Sequence, residues 1–168
     1  EGACVTRFAP SPTGFLHTGA LFTSLVDKRL AKQTDGIFYL RIEDTDGKRE
    51  VPGSVKLFTE ELKEFGLSPD EGVIAEGKEI GDYGPYTQSK RKRIYEICAK
   101  HLVEKGLAYP CFCTPEMLAA THEAQEKNKI VPGYYGVYAK CRNISIDESI
   151  ERVKAGEKFI LRFRSNGS

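Results

Sequence analysis

The stretch RFAPSPTGFLHTGAL (Arg7–Leu21) joins a strand-like segment to the start of a helix. The preceding positions, Val5–Phe8, include β-branched and aromatic residues, which favour a strand. Pro10 and Pro12 fix their φ angles and remove two backbone donors, and Gly14 allows a ligand to come close to the backbone. Together these residues predict a stiff loop that can contact a ligand.

A helix is predicted to begin just after this loop. From Gly19 onward, apolar residues recur at helical spacing, at Leu21, Leu25, Val26 and Leu30. His17 and Thr18 therefore lie at a helix N-terminus, where free N–H groups and the helix dipole favour anions. The pattern predicts a site for a nucleotide.

Strands and helices alternate along the first part of the chain. The predicted order is strand, helix, strand, helix, at Cys4–Phe8, Gly19–Lys32, Ile37–Ile42 and Gly53–Phe65. This order is typical of α/β proteins with a parallel sheet and right-handed crossovers. Gly66–Gly84 is rich in Gly, Pro, Asp and Glu and is predicted to be a long loop. Ser89–Lys105 is predicted to be a helix that ends at Gly106.

The pattern changes near residue 107. The segment that follows contains a Cys-x-Cys pair and a Gly- and Tyr-rich loop, PGYYGVYAKC. Two helices and a strand are predicted there, at Pro115–Lys127, Ile146–Ala155 and Lys158–Arg164. We therefore expect a domain boundary near residue 107.

Composition restricts the class of protein. The chain has 168 residues, 40% hydrophobic and 29% charged, which suits a globular domain. Its net charge of +1 gives no general sign of nucleic-acid binding. We interpret Lys90–Arg93, Arg162 and Arg164 as solvated faces, with contact to nucleic-acid phosphate as the alternative. The chain contains no apolar run of membrane-spanning length, and the opening EGACVTRFAP lacks a basic region followed by a long apolar core. We expect a cytoplasmic protein without membrane contact, with a mitochondrial mature form as the alternative.

Five cysteines form an odd set without secretory context. Such a set favours free thiols or metal ligands over a disulfide framework. Cys4 on a strand and Cys98 on an apolar helix face are predicted to lie in the core. Cys111, Cys113 and Cys141 remain as candidate metal ligands.

Four blocks of sequence, taken in order, carry a family signature. His17-Thr18-Gly19-Ala20 stands where class I synthetases have their HIGH motif, and the other blocks are LRIEDTDGKRE (Leu40–Glu50), GPYTQSKRKRIY (Gly84–Tyr95) and YPCFCTPEML (Tyr109–Leu118). The chain thereby resembles the glutamyl-tRNA synthetase family over nearly all of its length. A lone glycine-rich loop would be weak evidence.

The resemblance implies an α/β fold in two parts. Residues 1–107 would form the first half of a Rossmann-like, HUP-type parallel-sheet nucleotide-binding domain. Residues 108–168 would belong to an α+β insertion, or connective, domain near the acceptor end of the tRNA. Nothing here matches the KMSKS loop or the anticodon-binding region of the family. We therefore expect an N-terminal fragment, truncated at RSNGS (residues 164–168) and inactive alone.

The implied activity is that of a glutamate–tRNA ligase, which couples glutamate to AMP and transfers it to tRNA(Glu). Its partners would be L-glutamate, ATP with Mg²⁺, and tRNA(Glu), and the protein would be a monomer. By motif match, His17 and Gly19 would be catalytic residues that bind ATP, with Thr13 beside them. The same match implies that glutamate is bound by Arg7, Ala9, Ser11 and Glu43.

Structural alternatives exist for the main candidates. Arg7 could pair with Asp44 or Asp46 at the end of the next strand. Glu43 could cap a turn or a helix. Taken alone, His17 is more typical of an ordinary helix start than of catalysis.

The three cysteines resemble the zinc site of many family members. Structural zinc takes four tetrahedral N or S donors, but the position two beyond the last cysteine is Asn143 instead of histidine. Tyr138 is the favoured fourth donor, with His122 or water as alternatives. Three buried, reduced cysteines without metal are the competing interpretation.

Two other functions compete with the ligase. One is a glutamyl-Q tRNA(Asp) synthetase-like enzyme that modifies a tRNA anticodon base, and the other is a non-catalytic tRNA-binding paralogue. The segments IEDTD and GPYTQS favour the true synthetase over the first. The presence of Arg7, His17 and Glu43 together argues against a decayed site. A glutaminyl enzyme is disfavoured by the residues around Pro10–Gly14.

Overall fold

The computed structural model describes residues 2–165, and the chain divides into two compact units. The first unit ends at Ile94 and the second begins at Tyr95. The division falls within the helix Lys92–Glu104, and it separates two groups of residues that each make most of their contacts internally. The expected boundary of the two functional domains at residue 107 stays a prediction.

The first unit is an α/β layer structure. Its elements are β1 (Val5–Phe8), α1 (Thr18–Gln33), β2 (Ile37–Leu40), α2 (Ser54–Glu64), β3 (Glu71–Ala75), β4 (Lys78–Ile80) and a 3₁₀ turn, Gln88–Arg91. The strands lie in the order β1-β2-β3-β4; β1, β2 and β3 are parallel, and β4 is antiparallel to β3. The predicted parallel α/β sheet is confirmed.

The core of this unit lies between β2 and the helices. Phe38 and Leu40 of β2 are fully buried, as are Ile42 beyond the strand and Phe58 and Leu62 of α2. Fully burying a large apolar side chain stabilises the fold by about 1.5–3 kcal/mol. The packing of β2 therefore holds the neighbouring strand ends in place.

The segment Gly66–Gly84, predicted as a loop, contains the β3–β4 hairpin instead. Both strands are short, and Gly72 interrupts the apolar pattern of β3 that would identify a strand. Gly72 has φ +102°, and a Cβ there would lie 2.1 Å from the carbonyl oxygen of Leu40. Glycine lets β3 come close to β2, which is why a strand contains a residue typical of turns.

The second unit has a two-stranded antiparallel sheet and helices. The elements after the 3₁₀ turn are α3 (Lys92–Glu104), β5 (Ala108–Cys111), α4 (Pro115–Lys127), a 3₁₀ turn (Gly136–Tyr138), α5 (Ile146–Lys154) and β6 (Ile160–Phe163), with β5 paired to β6. The bounds of α4 match the prediction, and Gly106 has φ +68° beyond the end of α3. The strand β5 was not predicted. Whether this unit is an insertion domain stays a prediction.

The core positions predicted for two cysteines are wrong, because Cys4 and Cys98 are both exposed. Cys4 precedes β1 at the edge of the sheet, where its backbone pairs with Thr34 and its side chain is uncovered. Cys98 lies on α3, which has no buried residue in the described chain. Periodicity identified an apolar face but not whether anything covers it.

The last three residues of the expected truncation point RSNGS lie outside the described residues. Within residues 2–165, no helix has the length and apolar character to cross a membrane.

Replacing Gly72 with alanine is expected to lower the free energy of unfolding by about 3 kcal/mol or more, because positive φ and a backbone clash both oppose the new Cβ. Gly77→Ala is the matched control, with φ +71° but no atom within 4 Å of its Cβ. It should cost only about 1–2 kcal/mol. Urea unfolding of both variants measures the difference. Equal losses would show that the contact between β2 and β3 is not tight.

Candidate functional site

Backbone hydrogen bonds continue the β1–β2 ladder beyond the ends of both strands. The N–H of Arg41 donates to the carbonyl of Phe8, and the N–H of Glu43 donates to the carbonyl of Pro10, both at 3.0 Å. The loop after β1 and the segment after β2 therefore run side by side. Ligands of open parallel sheets bind at this edge.

Three charged side chains meet there. Arg41 contacts Oε1 of Glu43 at 2.6 Å, and Arg7 approaches the same oxygen at 4.0 Å. The Arg7 and Glu43 side chains are 43% and 30% exposed, so a solute can reach both. The group offers guanidinium donors for a carboxylate and an anionic acceptor for an ammonium.

The two acidic neighbours proposed as alternative partners of Arg7 are engaged elsewhere. Asp44 accepts hydrogen bonds from the backbone N–H of Ser89 at 2.8 Å and from its hydroxyl at 2.5 Å. Asp46 pairs with Arg49 at 2.6 Å. The structure therefore favours Glu43 as the carboxylate beside Arg7.

The remaining candidates in this loop differ in exposure. Ala9 and Ser11 are half-buried, whereas Thr13 is exposed. The N–H of Thr13 donates to the carbonyl of Ser11 at 2.8 Å, which closes a tight turn. Ser11 is thus held beside Pro10, whose carbonyl is bonded to the Glu43 segment.

His17 is the N-cap residue of α1. Its backbone is extended, and its Nδ1 accepts a hydrogen bond from the N–H of Ala20 at 3.2 Å. Because Nδ1 is the acceptor, a neutral ring carries its proton on Nε2. That N–H can donate to an anion near the helix N-terminus.

Gly19 makes room for this imidazole. A Cβ at Gly19 would lie 3.0 Å from Nδ1 and 3.1 Å from Cε1 of His17. Any other residue would press on the ring. Within the stretch matched to the HIGH motif, the observed position of the His17 ring therefore requires glycine at position 19.

A second cluster, which we call the thiol cluster, consists of Cys111, Cys113 and Cys141. The three sulfurs lie within 4.8 Å of one another, and Cys113 and Cys141 are 3.7 Å apart. Among the residues described, the cluster includes neither His122 nor a carboxylate. Asn143 is exposed. Cys141 thus lies beside the Cys-x-Cys pair, as the sequence predicts.

The hydroxyl beside these sulfurs belongs to Tyr134. It lies 3.2 Å from Sγ of Cys111 and 3.3 Å from Sγ of Cys113, and it accepts the N–H of Cys141 at 3.0 Å. Tyr138, the expected fourth donor, is half-buried in the following 3₁₀ turn. Its assignment stays a prediction, and the observed contacts favour Tyr134.

A buried amide holds the Tyr134 loop. Gln125 of α4 is 0% exposed. Its side chain donates to the carbonyl of Gly133 and accepts the N–H of the same residue, each at 2.9 Å. This two-way contact anchors the residue directly before Tyr134.

Local interactions change the acidity of the thiol cluster. Burial acts to raise the pKa of Cys111, but hydrogen bonds with Tyr134 and Arg162 outweigh it and lower the pKa to about 7. Burial, and then hydrogen bonding with Cys141 and Cys111, raises the pKa of Cys113. Burial raises the pKa of the Tyr134 hydroxyl, and so do its hydrogen bonds with Cys111 and Cys113. Of the two thiols in the Cys-x-Cys pair, Cys111 therefore has the lower pKa.

Sequence reasoning missed three side chains at these sites. Arg41 could have been found, because it stands two residues before Glu43 in an extended segment and so shares its side. Nothing in PGYYGVYAKC distinguishes Tyr134 from its neighbours. Arg162 was interpreted as a solvated face, but its guanidinium stacks on Tyr134 at 3.9 Å.

The chain matches the family model described as tRNA synthetases class I (E and Q), catalytic domain, over residues 3–168. Similar proteins include the glutamate–tRNA ligases of Clostridium beijerinckii, 55% identical, and Clostridium perfringens, 52% identical, both over 168 residues. These alignments cover the whole of this chain but only 30% and 31% of the relatives.

A solved structure of similar fold is that of a glutamate tRNA ligase from Elizabethkingia meningosepticum in complex with its amino acid. It has a TM-score of 0.83 and 35% sequence identity, and the match covers 96% of this chain and 32% of that one. The chain therefore spans about a third of the length of the relatives it matches.

Substitutions of His17 can separate helix capping from ligand binding. His17→Ala is expected to lower the free energy of unfolding by about 1 kcal/mol, because the N-cap acceptor is lost. His17→Asn should keep nearly full stability, because asparagine is a preferred N-cap residue. Urea unfolding measures both. Equal losses would mean that the His17 side chain does not cap α1.

Proposed function

The chain belongs to the catalytic-domain family of the class I tRNA synthetases for glutamate and glutamine, and from this we propose that it forms the N-terminal portion of a glutamate–tRNA ligase. The observation that carries the proposal is the Arg7–Glu43–Arg41 group at the end of the parallel strands. Its substrates would be L-glutamate, ATP with Mg²⁺, and tRNA(Glu).

Glutamate binding would use opposite charges at the sheet edge. The planar guanidinium of Arg7 would bind a carboxylate, and Glu43 would accept hydrogen bonds from the ammonium. Arg41 contacts Oε1 of Glu43, so the second oxygen stays available for the ligand. Ser11 would add a hydroxyl, and Ala9 lies in the same segment.

ATP binding would use the start of α1. The Nε2–H of His17 would donate to a phosphate oxygen, because Nδ1 already accepts from Ala20. Gly19 leaves room for the ring in that orientation, and Thr13 lies in the exposed turn before it. The helix dipole would further stabilise negative charge.

The reaction has two steps. A carboxylate oxygen of glutamate attacks the α-phosphorus of ATP, and pyrophosphate leaves. A hydroxyl of the terminal adenosine of tRNA then attacks the acyl carbon, and AMP leaves. The residues of this chain would act by positioning the reactants and by stabilising charge on the phosphoryl oxygens.

We further propose that the thiol cluster holds a structural zinc ion. With Zn–S about 2.3 Å, the edge of a tetrahedral sulfur site measures about 3.8 Å. The Cys113–Cys141 separation of 3.7 Å is compatible with that edge. Tyr134 would complete the donor set of Cys111, Cys113 and Cys141, with Tyr138 as the alternative. Four protein donors leave no open position, so the ion would stabilise the fold.

Other properties of the whole protein also stay proposals. A cytoplasmic location and a monomeric state are predicted. Contact with the acceptor end of tRNA is expected from the family and not from the charge of +1. The anticodon-modifying enzyme and the non-catalytic paralogue are the alternatives that experiments must exclude.

A chimaeric enzyme tests the ligase proposal. In it, this chain replaces the matching segment of the Clostridium perfringens ligase, which is 52% identical. The chimaera should charge tRNA(Glu) with radiolabelled glutamate. Glu43→Gln should lower kcat/KM about 100-fold, because the countercharge to the ammonium is lost. His17→Asn should lower kcat by a similar factor without unfolding α1.

Glu60→Gln is the matched control for Glu43→Gln. Glu60 is an exposed residue of α2 whose carboxylate lies 3.9 Å from Lys56, and the same change there should leave kcat/KM unaltered. A folded chimaera that does not charge tRNA would contradict the proposal and favour the non-catalytic paralogue. Equal effects of the two glutamate variants would exclude Glu43 from the site.

Metal analysis tests the zinc proposal. Mass spectrometry of the reduced, chelator-free protein should find about one zinc per chain, because the donor set is complete. Cys141→Ser should remove the metal, whereas Cys98→Ser, at an exposed position on α3, should retain it. Tyr134→Phe should weaken binding more than Tyr138→Phe. The reverse order would make Tyr138 the fourth donor.

A further inference from the structure

Arg162 lies against two members of the proposed zinc site. It belongs to β6, and its guanidinium carbon is 3.9 Å from the centre of the Tyr134 ring. Interaction with the same guanidinium lowers the pKa of the Cys111 thiol. One side chain therefore stacks on Tyr134 and acts on a thiol of the cluster.

Packing alone does not account for an arginine here. The Nε–H of Arg162 is buried and has no hydrogen-bond acceptor within residues 2–165. An unsatisfied buried donor costs about 1–3 kcal/mol, and an apolar side chain of similar length would avoid that cost. The positive charge must therefore be compensated by what it contacts.

The charge of the site supplies the reason. Three thiolates and one zinc ion carry a net charge of −1 if the tyrosine stays neutral. Cys111 and Cys141 are buried, so this charge would be poorly solvated. The guanidinium of Arg162 brings the local sum to zero and can donate a hydrogen bond to the Cys111 sulfur.

We propose that Arg162 is a positioning residue of the zinc site: it neutralises the metal–thiolate charge and holds the Tyr134 ring over the sulfurs. This inference rests on the proposed zinc site and is independent of the ligase activity. Arg162 would also connect the metal site to the β5–β6 sheet, in which Arg162 is paired with Tyr109.

Zinc affinity and cobalt spectra of the 168-residue chain test the proposal. Arg162→Met should weaken zinc binding about 10- to 100-fold, as is usual when a partner of a metal ligand is lost. The affinity is measured by competition with a chromophoric chelator. With Co²⁺ in place of zinc, loss of the hydrogen bond to sulfur should move the thiolate-to-cobalt charge-transfer band to longer wavelength. Arg162→Lys should restore part of the affinity, because it retains the charge.

Arg164→Met is the matched control. Arg164 lies two residues further along the chain, stacks over Tyr109 at 4.9 Å and donates to the carbonyl of Arg142. Removing it should change zinc affinity by less than about threefold and leave the cobalt band unmoved, since its contacts are with Tyr109 and Arg142 and not with a proposed donor.

The outcomes separate the two proposals. A wild-type chain that binds no zinc would overturn the metal site and the role of Arg162 with it. A wild-type chain that binds zinc, with Arg162→Met equal to Arg164→Met in affinity and spectrum, would overturn the role of Arg162 alone. If Arg162→Met fails to fold by circular dichroism, the polar but uncharged variant Arg162→Gln replaces it. Wild-type zinc affinity and an unmoved cobalt band in Arg162→Gln would contradict the proposal.

Discussion

The candidate site depends on the extension of the β1–β2 hydrogen-bond ladder past the ends of the strands. The loop after β1 contains Pro10 and Pro12, which have no N–H to donate and offer only carbonyls. Both carbonyls accept backbone bonds from the segment after β2, from Glu43 at 3.0 Å and from Val51 at 2.8 Å. The prolines thus stiffen the loop while leaving it bonded to the sheet. This constraint fixes the segment of Glu43 against the loop that follows Arg7.

The charge of the resulting group is compatible with the proposed ligand, glutamate. Arg7, Arg41 and Glu43 sum to +1, whereas glutamate carries −1 at neutral pH. Because Arg41 approaches Glu43 at 2.6 Å and Arg7 lies at 4.0 Å, the two arginines are not equivalent. Arg41 orients the carboxylate, and the more exposed Arg7 is the one that a ligand can reach.

The thiol cluster is assembled by contacts from several parts of the second unit. Gln125 of α4 anchors Gly133, which sets the position of the Tyr134 hydroxyl between two sulfurs. The guanidinium of Arg162 on β6 stacks on the ring of the same tyrosine. Residues far apart in sequence thereby define one polar centre, in which the buried Cys111, Cys141 and Gln125 lie beside half-buried polar partners.

Local signals in the sequence were sufficient for the parallel α/β sheet, the start of α1 beside His17 and the bounds of α4. The proline at the first position of α4, the Thr114 cap and apolar periodicity all act within a few residues. They failed for the β3–β4 hairpin, whose short strands depend on pairing with β2. Tertiary structure alone decided that Cys98 is exposed, that Tyr134 faces the sulfurs and that Arg162 is not a solvated residue. Such outcomes depend on which elements, distant in sequence, pack against each other. The spacing of apolar residues identifies the apolar face of a helix or strand, but it does not identify the element that covers that face.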